Sequence, residues 1–210
     1  MDKMNNNEFE LENQNTATVQ GQFDTPVSPL QVRGEKIKND FVQTPKIVTQ
    51  ILLQNEKFDG EIFEPCCGKG AISDVLKNEG YKVHSSDKNN YGYGSVRNLF
   101  DIHEKCENII TNPPFTQQQL VKKHLLSITK KKIALLWYVK NLGNEIETKS
   151  SAGLKSVYVI NTKINWVETK LGWLFAWYVW EKGYDGNILI KRINFENNQE
   201  TFVGAMEQSG

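Results

Sequence analysis

The sequence predicts an α/β protein built on a doubly wound, mostly parallel sheet, and three observations lead there. Gly60 to Glu64, the turn Pro65-Cys66-Cys67-Gly68-Lys69-Gly70 and the apolar-patterned Ala71 to Leu76 read as strand, glycine turn and helix. The apolar pair Ile109-Ile110 runs into Asn112-Pro113-Pro114-Phe115, a strand stopped by two prolines that give up their backbone donors. Continuous apolar runs follow a single helical pattern in the second half, as central strands do.

Taken in order, Ile47, Val48, Ile51 and Leu52 recur at helical spacing after Thr44-Pro45. A second strand is expected over Tyr81 to Ser86, ending at Asp87, 17 positions beyond Gly70. Thr116 is placed to cap a helix through Leu120, Val121, His124, Leu125 and Ile128, with His124 read as a packing residue. A strand over 132–139 comes next, followed by the polar stretch Asn141 to Gly153, the best candidate for a substrate-facing loop. Strands are expected at Ser156 to Ile160 and Leu174 to Trp180. Asp185-Gly186 signals a hairpin into Ile188 to Ile190. Trp173, Phe175, Trp177, Tyr178 and Trp180 follow strand period, and most of them read as core or sheet-face residues rather than a base-stacking box.

Two of these turns carry chemistry. Gly68 and Gly70 allow positive φ and close backbone approach where a strand meets a helix amino end. An acid about 20 residues on is placed to accept both hydroxyls of a ribose, the role expected of Asp87. A Gly-x-Gly is weak alone, and the absence of a third glycine at dinucleotide spacing favours a mononucleoside-type cofactor over NAD. At the second turn, the Asn112 side-chain oxygen and the Pro113 carbonyl can together accept both hydrogens of an exocyclic amine, while Phe115 can stack on a flat base. The same four residues also suit a plain turn.

With these residues in view, the chain resembles the S-adenosylmethionine-dependent amino-methyltransferases, most closely those that methylate adenine N6 in DNA. The acid-Pro-x-x-Gly-x-Gly motif of that family is matched from Glu64 through Pro65 and Gly68 to Gly70, with Glu where Asp is commoner. Its Asn/Asp/Ser-Pro-Pro-aromatic motif is matched by Asn112, Pro113, Pro114 and Phe115. The segment Phe41-Val42-Gln43-Thr44-Pro45 resembles the one that touches the cofactor's amino-acid end. The resemblance spans about residues 40–195. It implies a seven-stranded sheet of the methyltransferase type with a C-terminal antiparallel hairpin. It also implies that S-adenosylmethionine is held by Thr44, Pro45, Glu64, Pro65, Gly68, Gly70 and Asp87, with Asp101 near its adenine. Asn112 to Phe115 would then act on an adenine flipped out of DNA. No general base or metal is implied.

Composition fits one soluble domain: 210 residues, 39% hydrophobic, with no apolar run of membrane length and no leader pattern. Three cysteines, two of them adjacent, suit reduced thiols in a cytoplasmic setting. Residues 1–35 hold six acids and two bases, a net −4, in a polar sequence expected to be a mobile tail; residues 36–210, the expected catalytic domain, hold 23 bases and 19 acids, a net +4. Lys122-Lys123 and Lys130-Lys131-Lys132 read as a solvated helix end or as a phosphate-contacting patch. No separate target-recognition domain is visible, which leaves room for a partner subunit. The same signature serves RNA-base and protein-glutamine methylation, and a non-catalytic subunit keeping the cofactor fold is the reading from another class.

Overall fold

The computed structural model describes residues 43–147, 153–161 and 174–194. The expected tail over 1–35, Phe41, Val42 and Trp173 lie outside these residues. Among the described residues eight strands form one sheet: β1 (Ile62–Glu64), β2 (Val83–Asp87), β3 (Ser95–Val96), β4 (Cys106–Thr111), β5 (Thr129–Tyr138), β6 (Leu154–Asn161), β7 (Phe175–Glu181) and β8 (Leu189–Asn194). Their order is β3-β2-β1-β4-β5-β7-β6-β8. Every pairing is parallel except those of β7, which runs antiparallel to β5 and to β6. Among the described residues the α-helices are α1 (Lys46–Asn55), α2 (Ala71–Asn78), α3 (Gln118–Ile128) and α4 (Leu142–Glu147).

The period-2 alternation of the strands splits the core between the two faces. On one face α1 and α2 bury Val48, Ile51, Leu52, Ile72, Val75 and Leu76 against Ile62, Ile110, Ala134, Leu136 and Trp177. On the other, α3 buries Val121, Leu125 and Ile128 against Ile109, Ile133, Leu135, Trp137 and Tyr178. Neighbours such as Ile109 and Ile110 therefore face opposite helical layers, which makes the fold a doubly wound α/β sheet. Each of these fully buried aliphatic side chains contributes about 1.5–3 kcal/mol.

Four expectations are corrected. The sheet has eight strands rather than seven, because two-residue β3 pairs Ser95 with Ser86 and Val96 with Asp87. Both of its residues are exposed, so no apolar pattern marks it. The antiparallel hairpin is β6–β7, with Val157 opposite Tyr178, whereas Asp185-Gly186 does not pair β7 with β8. The chain does reverse there, but β7 already has a strand on each side, so β8 takes the free edge of β6 in parallel, Ser156 opposite Leu189. Thr116 does not cap α3. That helix begins at Gln118 after Gln117 at φ 62°, with no side-chain cap. Lastly, Lys130, Lys131 and Lys132 belong to β5 rather than to a helix end. Among the described residues no helix is long and apolar enough to cross a membrane.

Candidate active site

The glycine turn, Asp87 and Asn112 stand at the carboxyl ends of β1, β2 and β4, three adjacent parallel strands. Strand order reverses between β1 and β4, the place where open α/β sheets form their ligand crevice.

The glycine turn is tied to β2 by its backbone. Cys67 N–H donates to the Ser86 carbonyl (2.9 Å) and Gly68 N–H to Asp87 Oδ2 (3.0 Å). Asp87 Oδ1 accepts from Asn89 N–H at 2.9 Å, so the carboxylate braces both loops while each oxygen keeps a further lone pair. Gly68 (φ 51°) and Gly70 (φ 85°) both adopt the left-handed region, and Gly70 precedes the first residue of α2. A Cβ at Gly70 would lie 2.3 Å from the Tyr93 ring. That ring covers the turn, its hydroxyl donating to Asp74 (2.7 Å) and accepting from Lys77 (2.8 Å). Sequence reasoning missed Tyr93 because it lies in a polar loop with no periodic signal. Pro65 is buried under the turn, and the free thiols Cys66 and Cys67 are held in the protonated form by burial, Cys67 with a pKa near 12.

Glu64 is 1% exposed and accepts from Ser73 Oγ, which also lies 2.6 Å from Ser85 Oγ. Burial pushes its carboxyl up to about 8, against the opposing Ser73 bond and with the charges of Asp74 and Asp87 adding to the rise. The folded state therefore keeps a proton that the unfolded chain releases near 4.5. The resulting stability is full below that pH, declines as pH rises and is gone by about pH 8. Glu64→Gln, neutral and of the same shape, is expected to remove this decline. Denaturant midpoints at about pH 5 and about pH 8 should separate for the parent and converge for the variant; parallel behaviour would show that Glu64 is ionised in the fold.

At the end of β4, Pro113 is buried and Pro114 half-buried. Asn112 Nδ2 donates to Thr44 Oγ1 at 3.1 Å. Asn112 Oδ1 is shielded from solvent and accepts no hydrogen bond among the described residues. Leaving a buried acceptor unsatisfied costs about 1–3 kcal/mol, a cost recovered when a donor arrives. Phe115 packs at 4.5 Å between ring centroids on Tyr138, the last residue of β5, and at 5.9 Å on Phe175, the first of β7. Antiparallel pairing brings those strand ends to one edge, with Tyr138 opposite Phe175. Period 2 alone could assign Phe175 to a face but not to this edge, so its place beside Phe115 was not foreseen.

After Phe115, Gln117 is the sole non-glycine residue with positive φ among those described, a conformation costing about 1–2 kcal/mol. The first turn of α3 holds it in place: Asn141 Nδ2 donates to Gln118 Oε1 (2.8 Å), Gln119 Nε2 to Glu145 Oε1 (3.0 Å), and buried Lys122 to Glu145 Oε2 (2.6 Å). The start of the expected Asn141–Gly153 loop is thus a 3-10 turn and α4 docked on α3 directly after the Pro-Pro turn; 148–152 lies outside the described residues. Asp101 is exposed at the end of the 3-10 turn Leu99–Asp101, away from the hydrogen bonds that join the other candidates. Thr44 meets Asn112, and Pro45 is the residue before α1. His124 packs on Phe100 and His103, while its Nε2 is buried with no hydrogen-bond partner among the described residues.

Three of the five lysines in the phosphate-patch reading are engaged by acids of the chain itself. Lys131 is paired with Asp59 (2.8 Å) and Glu107 (3.1 Å), Lys132 with Glu56 (3.0 Å) and Lys122 with Glu145. Lys131 and Lys132 also lie toward the amino end of β5, across the sheet from Asn112.

No family profile matches the chain, and no curated protein matches its sequence. Solved structures do share the fold. A candidate RNA methyltransferase from Pyrococcus horikoshii is 14% identical with a TM-score of 0.53, covering 67% of this chain and 82% of its own. An O-methyltransferase assigned by prediction from Agrobacterium tumefaciens is 12% identical with a TM-score of 0.53, covering 71% and 86%. The modification subunit of a candidate type I restriction enzyme from Vibrio vulnificus is 10% identical with a TM-score of 0.52, covering 73% of this chain and 47% of its own. The chain shares its fold with these three structures.

Proposed function

We propose that this chain transfers a methyl group from S-adenosylmethionine to the exocyclic N6 amine of adenine in DNA. The observation that carries the reading is Asn112 Oδ1, a buried acceptor with no described donor, next to a Pro-Pro turn and an aromatic cluster at the sheet's switch point. That arrangement suits a planar amine, which brings hydrogens to an acceptor and a flat face to a ring.

The crevice residues fit the donor. Gly68 and Gly70 bring no side chains of their own to the turn, which the Tyr93 ring lies against at Gly70, Asp87 has lone pairs left for ribose hydroxyls, and the protonated Glu64 is a latent anion beneath the turn, where a cationic amino-acid end would favour its ionised form. Pro45, Pro65 and Asp101 complete the assignment that the motif resemblance suggests, whereas the Thr44 hydroxyl is taken up by the Asn112 carboxamide. The bound sulfonium supplies an already activated methyl, so the protein's work is orientation and charge stabilisation. Adenine's amine is a weak nucleophile because its lone pair is delocalised into the ring. Asn112 Oδ1 and the Pro113 carbonyl accept its two hydrogens, favour pyramidal nitrogen and stabilise the positive charge that grows on attack. Phe115, with Tyr138 and Phe175 behind it, holds the face of the flipped base. As the nitrogen–methyl bond forms, the sulfur–methyl bond would break to leave the neutral thioether, and the cationic methylated amine would then release one proton to water, so no tuned general base is needed.

With three lysines neutralised internally, duplex positioning falls to other parts of the chain, to a partner subunit, or to DNA presented single-stranded. Transfer of labelled methyl from S-adenosylmethionine to duplex DNA, single-stranded DNA, RNA and protein, with the modified nucleoside identified, tests the reading. N6-methyladenine in DNA is expected. Label confined to RNA or to protein would overturn it.

A further inference from the structure

Thr44 belongs to a segment distant in sequence from Asn112, yet its hydroxyl is the one described partner of the Asn112 carboxamide, 3.1 Å from Nδ2. Thr44 is 5% exposed. Its segment is fixed to the sheet: the Pro45 carbonyl accepts from Val48 N–H (3.0 Å) and the Val48 carbonyl from Trp177 Nε1 (2.8 Å). The terminal torsion of an asparagine is broad and two-fold, so the backbone at the Pro-Pro turn places the carboxamide without choosing which end points outward. That choice matters. An exocyclic amine brings only hydrogens, and it meets a donor rather than an acceptor if the amide is turned about.

We propose that Thr44 is a positioning residue for amine methylation, fixing the plane of the Asn112 carboxamide and engaging its Nδ2, which leaves Oδ1 as the open acceptor for the target. Resting on the reading of Asn112 above, the role has two parts. The bond holds the acceptor in line before the target arrives. It also withdraws density through the amide toward Oδ1, so that the oxygen accepts more strongly as positive charge develops on the amine. Its effect therefore belongs to the rate of transfer, not to affinity for the donor.

The test uses the full chain with Thr44→Val, which keeps the shape and loses the hydroxyl, Thr44→Ala as a second hydroxyl-free variant, and Thr44→Ser, which restores it. With S-adenosylmethionine and DNA saturating, kcat is expected to fall about tenfold in the hydroxyl-free variants, the upper range for one neutral hydrogen bond. KM for either substrate should change less than about twofold, and Thr44→Ser should recover most of the rate. In an Asn112→Ala background, Thr44→Val should cost nothing further, because its effect acts through that side chain. A loss that persists in that background, or that resides in donor affinity, overturns the proposal. The Asn112 side-chain amide resonances of the 15N-asparagine-labelled protein give a readout that needs no turnover. They should move in Thr44→Val and stay in Thr44→Ser. Unmoved resonances overturn the positioning role, whereas a parent protein that methylates no DNA amine overturns the functional reading instead.

Discussion

Asn112→Ala is expected to lower the rate of methyl transfer by on the order of 100-fold or more while leaving S-adenosylmethionine affinity within about twofold, as for loss of one transition-state hydrogen-bond partner. The separation follows from geometry. Asn112 stands at the end of β4 and bonds to Thr44, whereas the glycine turn and Asp87 at the ends of β1 and β2 are bonded to each other and not to it. Truncation removes the acceptor for the amine and leaves the donor cradle as it was. Folding should suffer little, because the unsatisfied Oδ1 is deleted along with the carboxamide and only the Thr44 hydroxyl loses a partner. Asn112→Asp keeps an acceptor there and should retain more activity than the alanine variant. Single-turnover transfer and calorimetric binding on the same preparations decide the matter. A parental rate in Asn112→Ala would reduce the Pro-Pro segment to a turn.

What was legible in the sequence was whatever local chemistry dictates. Gly68 and Gly70 had to adopt left-handed backbone, and they do. The apolar pair Ile109-Ile110 had to end at two prolines, and β4 stops at Thr111. The doubly wound sheet followed from those signals and from the apolar runs. What sequence concealed was pairing at a distance. Asp185-Gly186 marks a reversal, but the partner of β8 depends on which edge is free, and that is decided by β5 and β6 flanking β7. Three of the five lysines that look like an anion site in a row, Lys122, Lys131 and Lys132, are paired with Glu56, Asp59, Glu107 and Glu145, drawn from three other parts of the chain. The site shows the same division. Its motif residues were legible, whereas Tyr93 over the glycine turn, Tyr138 and Phe175 behind Phe115, and Thr44 against Asn112 arise from contacts between segments.

Asp87→Ala is expected to weaken S-adenosylmethionine binding by about 1.5–3 kcal/mol, the range for hydrogen bonds to a charged group, or about tenfold to 150-fold in Kd. The structure adds a second consequence. Asp87 accepts from Gly68 and Asn89 N–H, so the variant also leaves a buried backbone donor of the glycine turn without its acceptor and frees the loop that carries Tyr93. A loss of fold stability of about 1–3 kcal/mol should accompany the loss of affinity. The two are separable: calorimetry well below the unfolding midpoint reports affinity of the folded protein, and denaturant titration without the donor reports the turn. Asp87→Asn keeps a neutral carbonyl acceptor that can still take the Gly68 N–H. It should recover more of the stability than of the affinity, because only the affinity draws on the charge. Unchanged donor affinity in a folded Asp87→Ala protein would leave the carboxylate as a brace for the glycine turn and remove it from the cofactor site.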